Sequence, residues 1–383
     1  MKASAVLALL PLAVAAPAKR DSPAPLIVPR GVQVVEGKYI VKFKDEFKAQ
    51  HVESAVGSIS ADAEHLFSEL FNGFAASLTP KEVENLRHDP SVDFVEQDAV
   101  MTISVSQSNA DWGLARLSSQ TPGTTTYSYD GSAGAGTCAF IIDTGIEAAH
   151  PDFGGRASFL KNFADNTNSD GHGHGTHVAG TIGGNTYGVA KKTKLYSVKV
   201  LDSRGSGTNS GVIAGMDYVA KTAKTYRCPK GVVVNMSLGG GRSESVNQAA
   251  NGIAKAGLFL AVAAGNSNDD ANSYSPASAS GACTVGATTK TDELASYSNY
   301  GPKVNVLAPG SNILSAWIGK TTKSISGTSM ASPHVAGIAA YFLGLGVSVN
   351  GLCDYIASKG VQGAIANVPD DTANILINNG YNN

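Results

Sequence analysis

The chain has 383 residues, of which 43% are hydrophobic and 43 are glycines, and its formal net charge is -2. Such a length can bury a large core, as one domain with a smaller one attached. The charge, and the lack of a basic patch with interleaved aromatic residues, argue against a nucleic-acid-binding protein.

The first residues are typical of a secretory signal peptide. A charged start, Met1-Lys2, precedes an apolar run that ends in small residues at Ala15 and Ala16. The run is too short to span a membrane, and no later run is long and apolar enough to anchor the chain. We therefore expect cleavage near Ala15 and a secreted, extracellular protein with no membrane partner.

A small module is predicted next. A proline-rich segment, residues 21–30, leads into a strand at 38–44, a helix at 46–56, a strand at 73–78, a helix at 80–86 and a strand at 92–96. We interpret these elements as a small ferredoxin-like α+β module, for which a β-α-β-β-α-β order is typical. The tail at 101–105 has no predicted structure.

The remainder of the chain alternates short apolar strands with helical stretches. The strands are predicted at residues 138–143, 195–200, 232–236, 258–263, 283–287 and 304–308. This alternation predicts an α/β domain whose mostly parallel sheet has helices on both faces. Catalytic groups would then lie at the carboxyl edge of the sheet.

Ser329 lies where a small-residue turn opens into an apolar helix. Residues 327–337 read Gly-Thr-Ser-Met-Ala-Ser-Pro-His-Val-Ala-Gly. Backbone N–H groups at a helix start have no intrahelical acceptor, and together with the helix dipole they would stabilise an oxyanion there. Pro333 is expected in the first turn, where its missing N–H would cost nothing.

Two further segments supply partners for this serine. Asp143 ends the strand at 138–143, and a glycine-rich stretch at 170–180 contains His172, His174 and His177. A serine hydroxyl needs a base to take its proton, and the base needs a third group to orient it. The chain order Asp, His, Ser is that of the subtilisin group.

At this point the chain resembles the subtilisin-like serine proteases (subtilases), and most of all the secreted fungal alkaline proteases of the proteinase K group. The resemblance covers nearly everything after the signal peptide, and further segments that carry it are residues 112–116, 187–190, 237–241, 263–266 and 326–331. It implies a subtilisin-like fold and a secreted serine endopeptidase.

The resemblance also assigns roles within the site. In the family pattern His-Gly-Thr-His the first histidine is catalytic, which makes His174 the base and His177 structural, with no role for His172. Asn266 would donate its side-chain amide to the oxyanion. A His-x-His-x-x-His zinc site is the alternative, and it is weaker because the segment offers no further ligand.

Substrate would be held mainly through its backbone. By resemblance, an extended peptide is bound as an added strand between two edge segments. The pocket for the residue before the cut bond has small walls, which implies broad cleavage after bulky apolar or aromatic residues. The residues concerned are Gly205, Ser206 and Gly207 on one edge, Ser237, Leu238 and Gly239 on the other, and Ala264, Gly265 and Tyr274 in the pocket.

Four cysteines would meet an oxidising compartment, and sequence alone leaves all three pairings open. The resemblance favours Cys138 with Cys228 and Cys283 with Cys353.

The module at about 38–100 resembles the inhibitory prodomain of these enzymes. This implies a signal peptide at 1–15, a propeptide at 16–104 and a peptidase domain at 105–383, with self-cleavage between Ser104 and Val105 and the tail lying extended in the active-site cleft. The alternative is a permanent N-terminal domain in a chain that is never cut.

No cofactor is expected for the chemistry, but the resemblance raises the question of structural calcium. In the proteinase K group a strong calcium site uses a carboxylate where this chain has Asn305, and Ser280 and Ala282 could offer backbone carbonyls here. An uncharged amide should bind calcium more weakly, so no metal ligand is assigned. The expected partners are protein and peptide substrates and the chain's own prodomain, and we expect a monomer.

Two other functions remain open from the residues alone. A serine esterase is one, although Ala331 breaks the Gly-x-Ser-x-Gly pattern of α/β-hydrolases. A degenerate protease kept as a binding protein is the other, although such a role would require none of Asp143, His174, Asn266 and Ser329.

Overall fold

The computed structural model describes residues 22–29, 34–47, 49–99 and 104–381. It divides the chain into two compact units, residues 1–101 and 102–383, and each has a hydrophobic core of its own. The predicted signal peptide and residues 101–103 of the predicted tail lie outside the described residues.

The first unit is a five-stranded sheet with two helices. Its elements in chain order are β1 (Leu26–Ile27), β2 (Val34–Phe43), α1 (Ala49–Val56), β3 (His65–Phe67), β4 (Gly73–Ser77), α2 (Pro80–Arg87) and β5 (Val92–Ala99). The strand order is β1-β5-β2-β4-β3. From β2 to β5 the elements follow the ferredoxin-like β-α-β-β-α-β order, so the predicted α+β module is confirmed.

Strand β1 was not predicted, because a two-residue strand inside a proline-rich segment has no detectable periodicity. It pairs in parallel with β5, with Leu26 opposite Val95. Just before it, Ala24 is fully buried, and it exchanges hydrogen bonds with Arg87 through its N–H (2.7 Å) and its carbonyl (2.8 Å). The segment at 22–28 is thus an integral part of the first unit.

Helix α2 begins with a complete capping box. The side-chain oxygen of Thr79 accepts from the Glu82 N–H (3.3 Å), and the Glu82 carboxylate accepts from the Thr79 N–H (2.7 Å). Pro80 occupies the first helical position, where its fixed φ favours the helix. These interactions satisfy N–H groups that no intrahelical carbonyl can reach.

The second unit is built around a large sheet with helices on both sides. Its helices are α3 (Trp112–Arg116), α4 (His174–Gly183), α5 (Asn209–Thr222), α6 (Glu244–Lys255), α7 (Thr328–Gly344) and α8 (Leu352–Lys359), with short 3-10 turns at Pro151–Phe153, Ala223–Thr225 and Ala271–Ser273. Its strands are β6 (Ser104–Gln107), β7 (Tyr127–Asp130), β8 (Thr137–Asp143), β9 (Ala157–Asn162), β10 (Lys194–Lys199), β11 (Gly231–Met236), β12 (Gly240–Gly241), β13 (Phe259–Ala263), β14 (Tyr274–Ser275), β15 (Cys283–Thr288), β16 (Val306–Pro309), β17 (Ile313–Trp317), β18 (Thr321–Ile325), β19 (Val361–Gln362) and β20 (Ile375–Leu376).

The main sheet has nine strands in the order β19-β20-β16-β15-β13-β11-β8-β10-β9, and all its pairs except β19 with β20 are parallel. The six predicted strands are all present, with ends within two residues of those predicted. Along β8, Ala139 and Ile141 pack into the core with α4 and α7, whereas Phe140 and Ile142 pack into the core with α5 and α6. Burial on both faces explains why β8 reads as a continuous apolar run.

Two disulfides close loops in this unit. The structure pairs Cys138 with Cys228 and Cys283 with Cys353, which are the pairs that the resemblance favours. They span 90 and 70 residues of chain, and cross-links over such lengths restrict the unfolded state strongly.

One local expectation is wrong. The tail at 101–105 was predicted to lack secondary structure and to lie in the cleft, but in its described part β6 begins at Ser104 and pairs antiparallel with β7, with Val105 opposite Tyr129. Two- to four-residue strands of this kind are set by tertiary contacts and leave little trace in the sequence pattern.

Candidate active site

Asp143 and His174 form a hydrogen-bonded pair at the carboxyl edge of the sheet. Asp143 is the last residue of β8 and has no solvent exposure, and His174 is the first residue of α4. The Nδ1–H of His174 donates to Asp143 Oδ1 at 2.8 Å. Burial disfavours the charged ring, but the charge and hydrogen bond of the Asp143 carboxylate outweigh it, so the pKa of His174 is raised.

A second carboxylate fixes the two segments relative to each other. Asp170 accepts from the Thr144 hydroxyl at 2.9 Å, and Thr144 directly follows Asp143. Asp170 also accepts from the N–H groups of Gly173 (2.8 Å) and Thr176 (2.9 Å), on either side of His174. Sequence reasoning gave Asp170 no role, since its partners come from two separate segments.

Ser329 is the second residue of α7, and it lies against the segment that follows β11. Its hydroxyl donates to the Ser237 carbonyl at 3.0 Å. Among the contacts of the described residues there is no hydrogen bond between this hydroxyl and His174. Catalytic hydrogen bonds often form only when substrate is bound, so this does not remove Ser329 from the site.

The position of Pro333 corrects one prediction. Pro333 was expected in the first turn of its helix, but α7 begins at Thr328 and the proline lies inside the helix. A proline there has no N–H to give to the carbonyl four residues earlier, which belongs to Ser329. The Ser237 hydroxyl donates to that carbonyl instead, at 2.8 Å, and so ties the Ser329 backbone to the opposite segment.

The hydrogen bond between the Ser237 hydroxyl and the Ser329 carbonyl is part of a network that extends into the core. Asn235, fully buried in β11, donates to the Ser237 hydroxyl at 2.9 Å and accepts from the Ser332 hydroxyl at 2.8 Å. In the sequence, Asn235-Met236-Ser237 matches the Asn-x-Ser glycosylation pattern. The structure gives it a different task, because its amide links β11 to both sides of Ser329.

The side-chain amide of Asn266 and the backbone nitrogen of Ser329 lie close to one position beside Gly327. The Oδ1 of Asn266 accepts from the Thr328 N–H (2.8 Å) and hydroxyl (2.9 Å), which leaves its Nδ2 to donate elsewhere. A Cβ built on Gly327 would lie 3.6 Å from both Asn266 Nδ2 and the Ser329 N. Two nitrogen donors that lie this close to one position are of the kind that can bind an oxyanion.

The loop that carries Asn266 is held by a residue that the sequence did not reveal. Asn299 is fully buried; its amide donates to the Ala264 carbonyl (2.9 Å) and its N–H donates to the Gly265 carbonyl (2.9 Å). Gly265 has a φ of +108°, and a Cβ there would lie 2.3 Å from Asn299. Only glycine fits this approach.

Two neighbouring pockets lie beside these groups. The first, about 460 Å³, is lined by His172 and His174 and by predicted binding residues on both edges: Gly205, Ser206, Gly207, Ser237, Leu238 and Gly239. The second, about 210 Å³, is lined by Asn266 and Ser329 and by the predicted pocket residues Ala264, Gly265 and Tyr274. Leu238 and Gly239 line both, so the structure brings all nine predicted binding residues to one cleft.

The second pocket offers small walls and no charge. Its described lining consists of glycines, alanines and uncharged polar or aromatic residues, with Leu238 at one side. Strand β14, which carries Tyr274, pairs with β12 at Gly240–Gly241, and the Tyr274 hydroxyl donates to Asp269 at 3.2 Å. The pocket can therefore accept a bulky apolar side chain but has no partner for an ion.

His177 belongs to a structural contact and not to a metal site. It is fully buried, and its Nε2–H donates to the carbonyls of Ile313 (3.0 Å) in β17 and Lys323 (3.1 Å) in β18. Burial lowers the pKa of His177 to about 3, so it stays neutral. Among the described residues, no three His, Cys, Asp or Glu side chains gather around a common point.

The residues at the family's calcium position fit a tight calcium site poorly. Asn305, Ser280 and Ala282 line one pocket, but Asn305 Oδ1 already accepts from the Thr284 N–H at 2.8 Å. Asp354 lines the same pocket from α8, where it is exposed. A neutral amide oxygen that is already hydrogen-bonded is a weak ligand for a hard divalent cation.

Comparisons with known proteins agree with this geometry. A model of the Subtilase family matches residues 134–346, and a model of the Peptidase inhibitor I9 family matches residues 38–104. A cuticle-degrading protease from Metarhizium anisopliae is 54% identical over 387 residues, which cover 99% of this chain and 100% of the relative. Proteinase T from Parengyodontium album is 68% identical over 289 residues, covering 75% of this chain and 99% of the relative.

Solved structures give the same result. The crystal structure of a cold-adapted subtilisin-like serine proteinase matches with a TM-score of 0.67 and 43% sequence identity, covering 71% of this chain and 99% of that one. Within the described part of the chain, no helix combines the length and the apolar character needed to cross a membrane.

Proposed function

This chain belongs to the subtilase family of serine proteases and carries an I9-type inhibitor domain, and we propose that it is a secreted endopeptidase made as a self-processing zymogen. We assign the catalytic roles to Asp143, His174 and Ser329, with Asn266 as an oxyanion donor. The observation that carries the assignment is the His174–Asp143 hydrogen bond, with His174 lining one of two neighbouring pockets and Asn266 and Ser329 lining the other.

The chemistry follows from these groups. His174 Nε2 takes the proton of the Ser329 hydroxyl as the oxygen attacks the substrate carbonyl, and Asp143 stabilises the imidazolium that forms. The negative charge on the former carbonyl oxygen is held by Asn266 Nδ2 and the Ser329 N–H. His174 then protonates the leaving amine, and the acyl group on Ser329 is hydrolysed by a water that His174 activates.

Substrate would lie as an added strand between the two edges of the cleft, through main-chain hydrogen bonds that accept many sequences. Specificity then falls to the pocket beside Ala264, Gly265 and Tyr274, whose lining carries no charge. We expect hydrolysis after Phe or Leu to exceed hydrolysis after Lys or Asp, measured as kcat/KM on peptides that differ only at that residue. Equal or reversed rates would contradict this pocket assignment.

The first unit fits the role of an inhibitor that is removed. An I9 family match that ends at Ser104, the residue before the expected cut, supports a propeptide at 16–104 and a peptidase domain at 105–383. Ser104 and Val105 lie in β6, and neither lines the two cleft pockets. Cleavage by this chain's own Ser329 therefore requires β6 to leave β7 before the cut, and we infer that the strand pair forms again afterwards.

Two histidine variants test the catalytic assignment. His174→Ala should abolish hydrolysis of casein, whereas His172→Ala should retain it, because only His174 bonds to Asp143. Both histidines line the first pocket, so the second variant controls for the loss of an imidazole from the cleft. Full activity of His174→Ala would exclude the proposed mechanism.

A further inference from the structure

The strand pair β6–β7 has a register that places one backbone nitrogen in a defined position. Ser104 lies opposite Asp130 and Val105 opposite Tyr129. The N–H groups of Ser128 and Asp130 donate away from β6, to the Ser118 hydroxyl (2.9 Å) and the Tyr341 hydroxyl (3.0 Å).

Because alternate residues of an antiparallel pair exchange both ladder bonds, the bonds to β6 fall on Tyr127 and Tyr129. The Val105 nitrogen therefore faces the carbonyl of Tyr129, one residue from the side chain of Asp130.

Asp130 is a buried carboxylate without a cation. It is 5% exposed, and its Oδ1 accepts from the Ser132 N–H at 2.7 Å. No ion pair of the described residues includes it, in contrast to the buried Asp292, which pairs with Arg116. A buried carboxylate needs a charged or strongly donating partner to offset the loss of its hydration.

We propose that Asp130 and the Tyr129 carbonyl form a binding site for the α-ammonium group of Val105, which exists only after the chain has been cut. Hydrolysis of the Ser104–Val105 bond consumes one water and yields a carboxylate on Ser104 and an ammonium on Val105. An uncharged amide with one N–H thereby becomes a cation with three. One N–H keeps the ladder bond to Tyr129, and the others can donate to the carboxylate of Asp130.

The inference rests on the proposed processing site and adds a consequence to it. The cut supplies the cation that Asp130 lacks in the uncut chain, so the returned β6 is held more tightly after cleavage than before it. This makes the processed state of the peptidase domain the more stable one and disfavours a second departure of β6 into the cleft.

Few other charged groups face Asp130. Tyr341 in α7 contacts its backbone, and burial raises the pKa of that phenol, so Tyr341 is neutral at working pH. Lys192 donates to the Gly131 carbonyl at 2.7 Å from an exposed position. Lys191 lies over the rings of Tyr127 and Tyr129, which project from β7 to the side opposite Asp130. The Val105 amine is therefore the group in this neighbourhood whose charge the cut creates.

The contribution of the Val105 ammonium group to stability should depend on pH. An amine that gains a carboxylate partner has a pKa above its ordinary range of about 7.7–8.0. Its contribution to stability is complete below the unfolded pKa and disappears as the pH rises through the folded pKa.

The test measures this amine directly. The secreted, processed protein is inactivated with a fluorophosphonate and acetylated with isotopic acetic anhydride at a series of pH values. Mass spectrometry then gives the labelling rate of the peptide that begins at Val105. We expect the midpoint to lie about one pH unit or more above that of the free peptide Val-Ser-Gln-Ser, so that labelling at pH 7.5 is about tenfold slower.

Asp130→Asn should return the midpoint to that of the free peptide, whereas Asp217→Asn, which removes an exposed carboxylate paired with Lys221, should leave it raised. Identical midpoints for the wild type and the free peptide would overturn the inference even if Asp130→Asn failed to fold. A chain that begins at Val105 with an ordinary amine pKa refutes the inference and leaves the proposed function intact. A chain that begins elsewhere overturns both the processing site and the inference.

Discussion

Among the described residues, only the second unit of the chain has Arg or Lys ion pairs with a fully buried or nearly buried member. In the first unit, the five ion pairs of the described residues all involve side chains that are half-buried or exposed, such as Lys38 with Glu64. In the second unit, Arg116 donates three hydrogen bonds to Asp292, and their side chains are 3% and 10% exposed, respectively. Lys199 is fully buried and forms an ion pair with Asp165. Exposed pairs contribute little to stability, whereas buried ones are costly to break.

The disulfides and the exposed hydrophobic side chains also differ between the two units, and both differences indicate that the second unit is the more stable one. Both disulfides lie in the second unit. The large hydrophobic side chains that are exposed among the described residues all belong to the first unit, with Leu66 at 63% and Leu70 at 96%. A small domain buries a smaller share of its surface, so the first unit should be the less stable one. This difference fits the proposal that the first unit is a removable inhibitor and the second unit a secreted protease.

The largest expected effect is produced by Ser329→Ala. It should lower kcat by about 10⁶, the loss that subtilisin itself shows when its nucleophile is removed. It should also leave the chain uncut, so that calorimetry shows two unfolding transitions, the lower one from the first unit. Ser324→Ala, an exposed serine in β18, should be processed and active. A single transition for the uncut chain would contradict the comparison.

Removal of the Cys138–Cys228 disulfide is expected to act on one unit only. In the Ser329→Ala background, replacing both cysteines by alanine should lower the unfolding free energy of the second unit by about 2–5 kcal/mol. The lower transition should not move, because the first unit has no cysteine. Equal shifts of both transitions would show that the two units unfold together.

The pH dependence of activity reports on His174. Its pKa is raised above the ordinary value of 6.5, and it must be neutral to act as a base. The acid limb of kcat/KM should therefore have its midpoint above pH 6.5, with activity rising as the pH rises through it. A midpoint at or below 6.5 would mean that Asp143 does not outweigh the burial of the ring.

Two matched helix caps offer a finer test of the comparison. Thr79→Ala removes the capping box of α2 and should lower the unfolding free energy of the first unit by about 1 kcal/mol. Thr208→Ala removes the cap of α5 and should lower the unfolding free energy of the second unit only. Both changes delete one side-chain acceptor at a helix start. Calorimetry of the uncut chain separates them, and a shift in the wrong transition would refute the division into units.

The smallest effect concerns calcium. The melting temperature of the processed wild type should be nearly the same with calcium and with a chelator, because Asn305 offers only a neutral oxygen. Asn305→Asp should create a modest stabilisation that the chelator removes. A wild-type melting temperature that falls steeply with chelator would show that this chain binds structural calcium after all.

The sequence predicts the six central strands and the glycine-rich motifs because each carries its own signal, such as the apolar run of β8 that ends in Asp143. It does not predict β1, β3 or β6, since strands of two to four residues depend on partners that are distant in the chain. Register and pairing of this kind are tertiary properties.

The same limit applies to the site. Asp143, His174, Asn266 and Ser329 lie in recognisable motifs. In the structure His174, Asn266 and Ser329 line the two neighbouring pockets, and the buried Asp143 is hydrogen-bonded to His174. Asp170, Asn235 and Asn299 do not stand out, because their importance comes from the segments they join. Pro333 shows how a local rule misleads: its place in the helix is acceptable only because the Ser237 hydroxyl replaces its missing N–H.

The most direct test of the proposed enzyme is the intact mass of the secreted protein before and after treatment with a fluorophosphonate, with the adduct mapped to a residue. We predict a chain that begins at Val105 and carries one adduct, on Ser329. The contradicting result would be a protein that is secreted at full length and still does not react with the fluorophosphonate once limited proteolysis has removed its first unit. That result would exclude both Ser329 as the nucleophile and the zymogen.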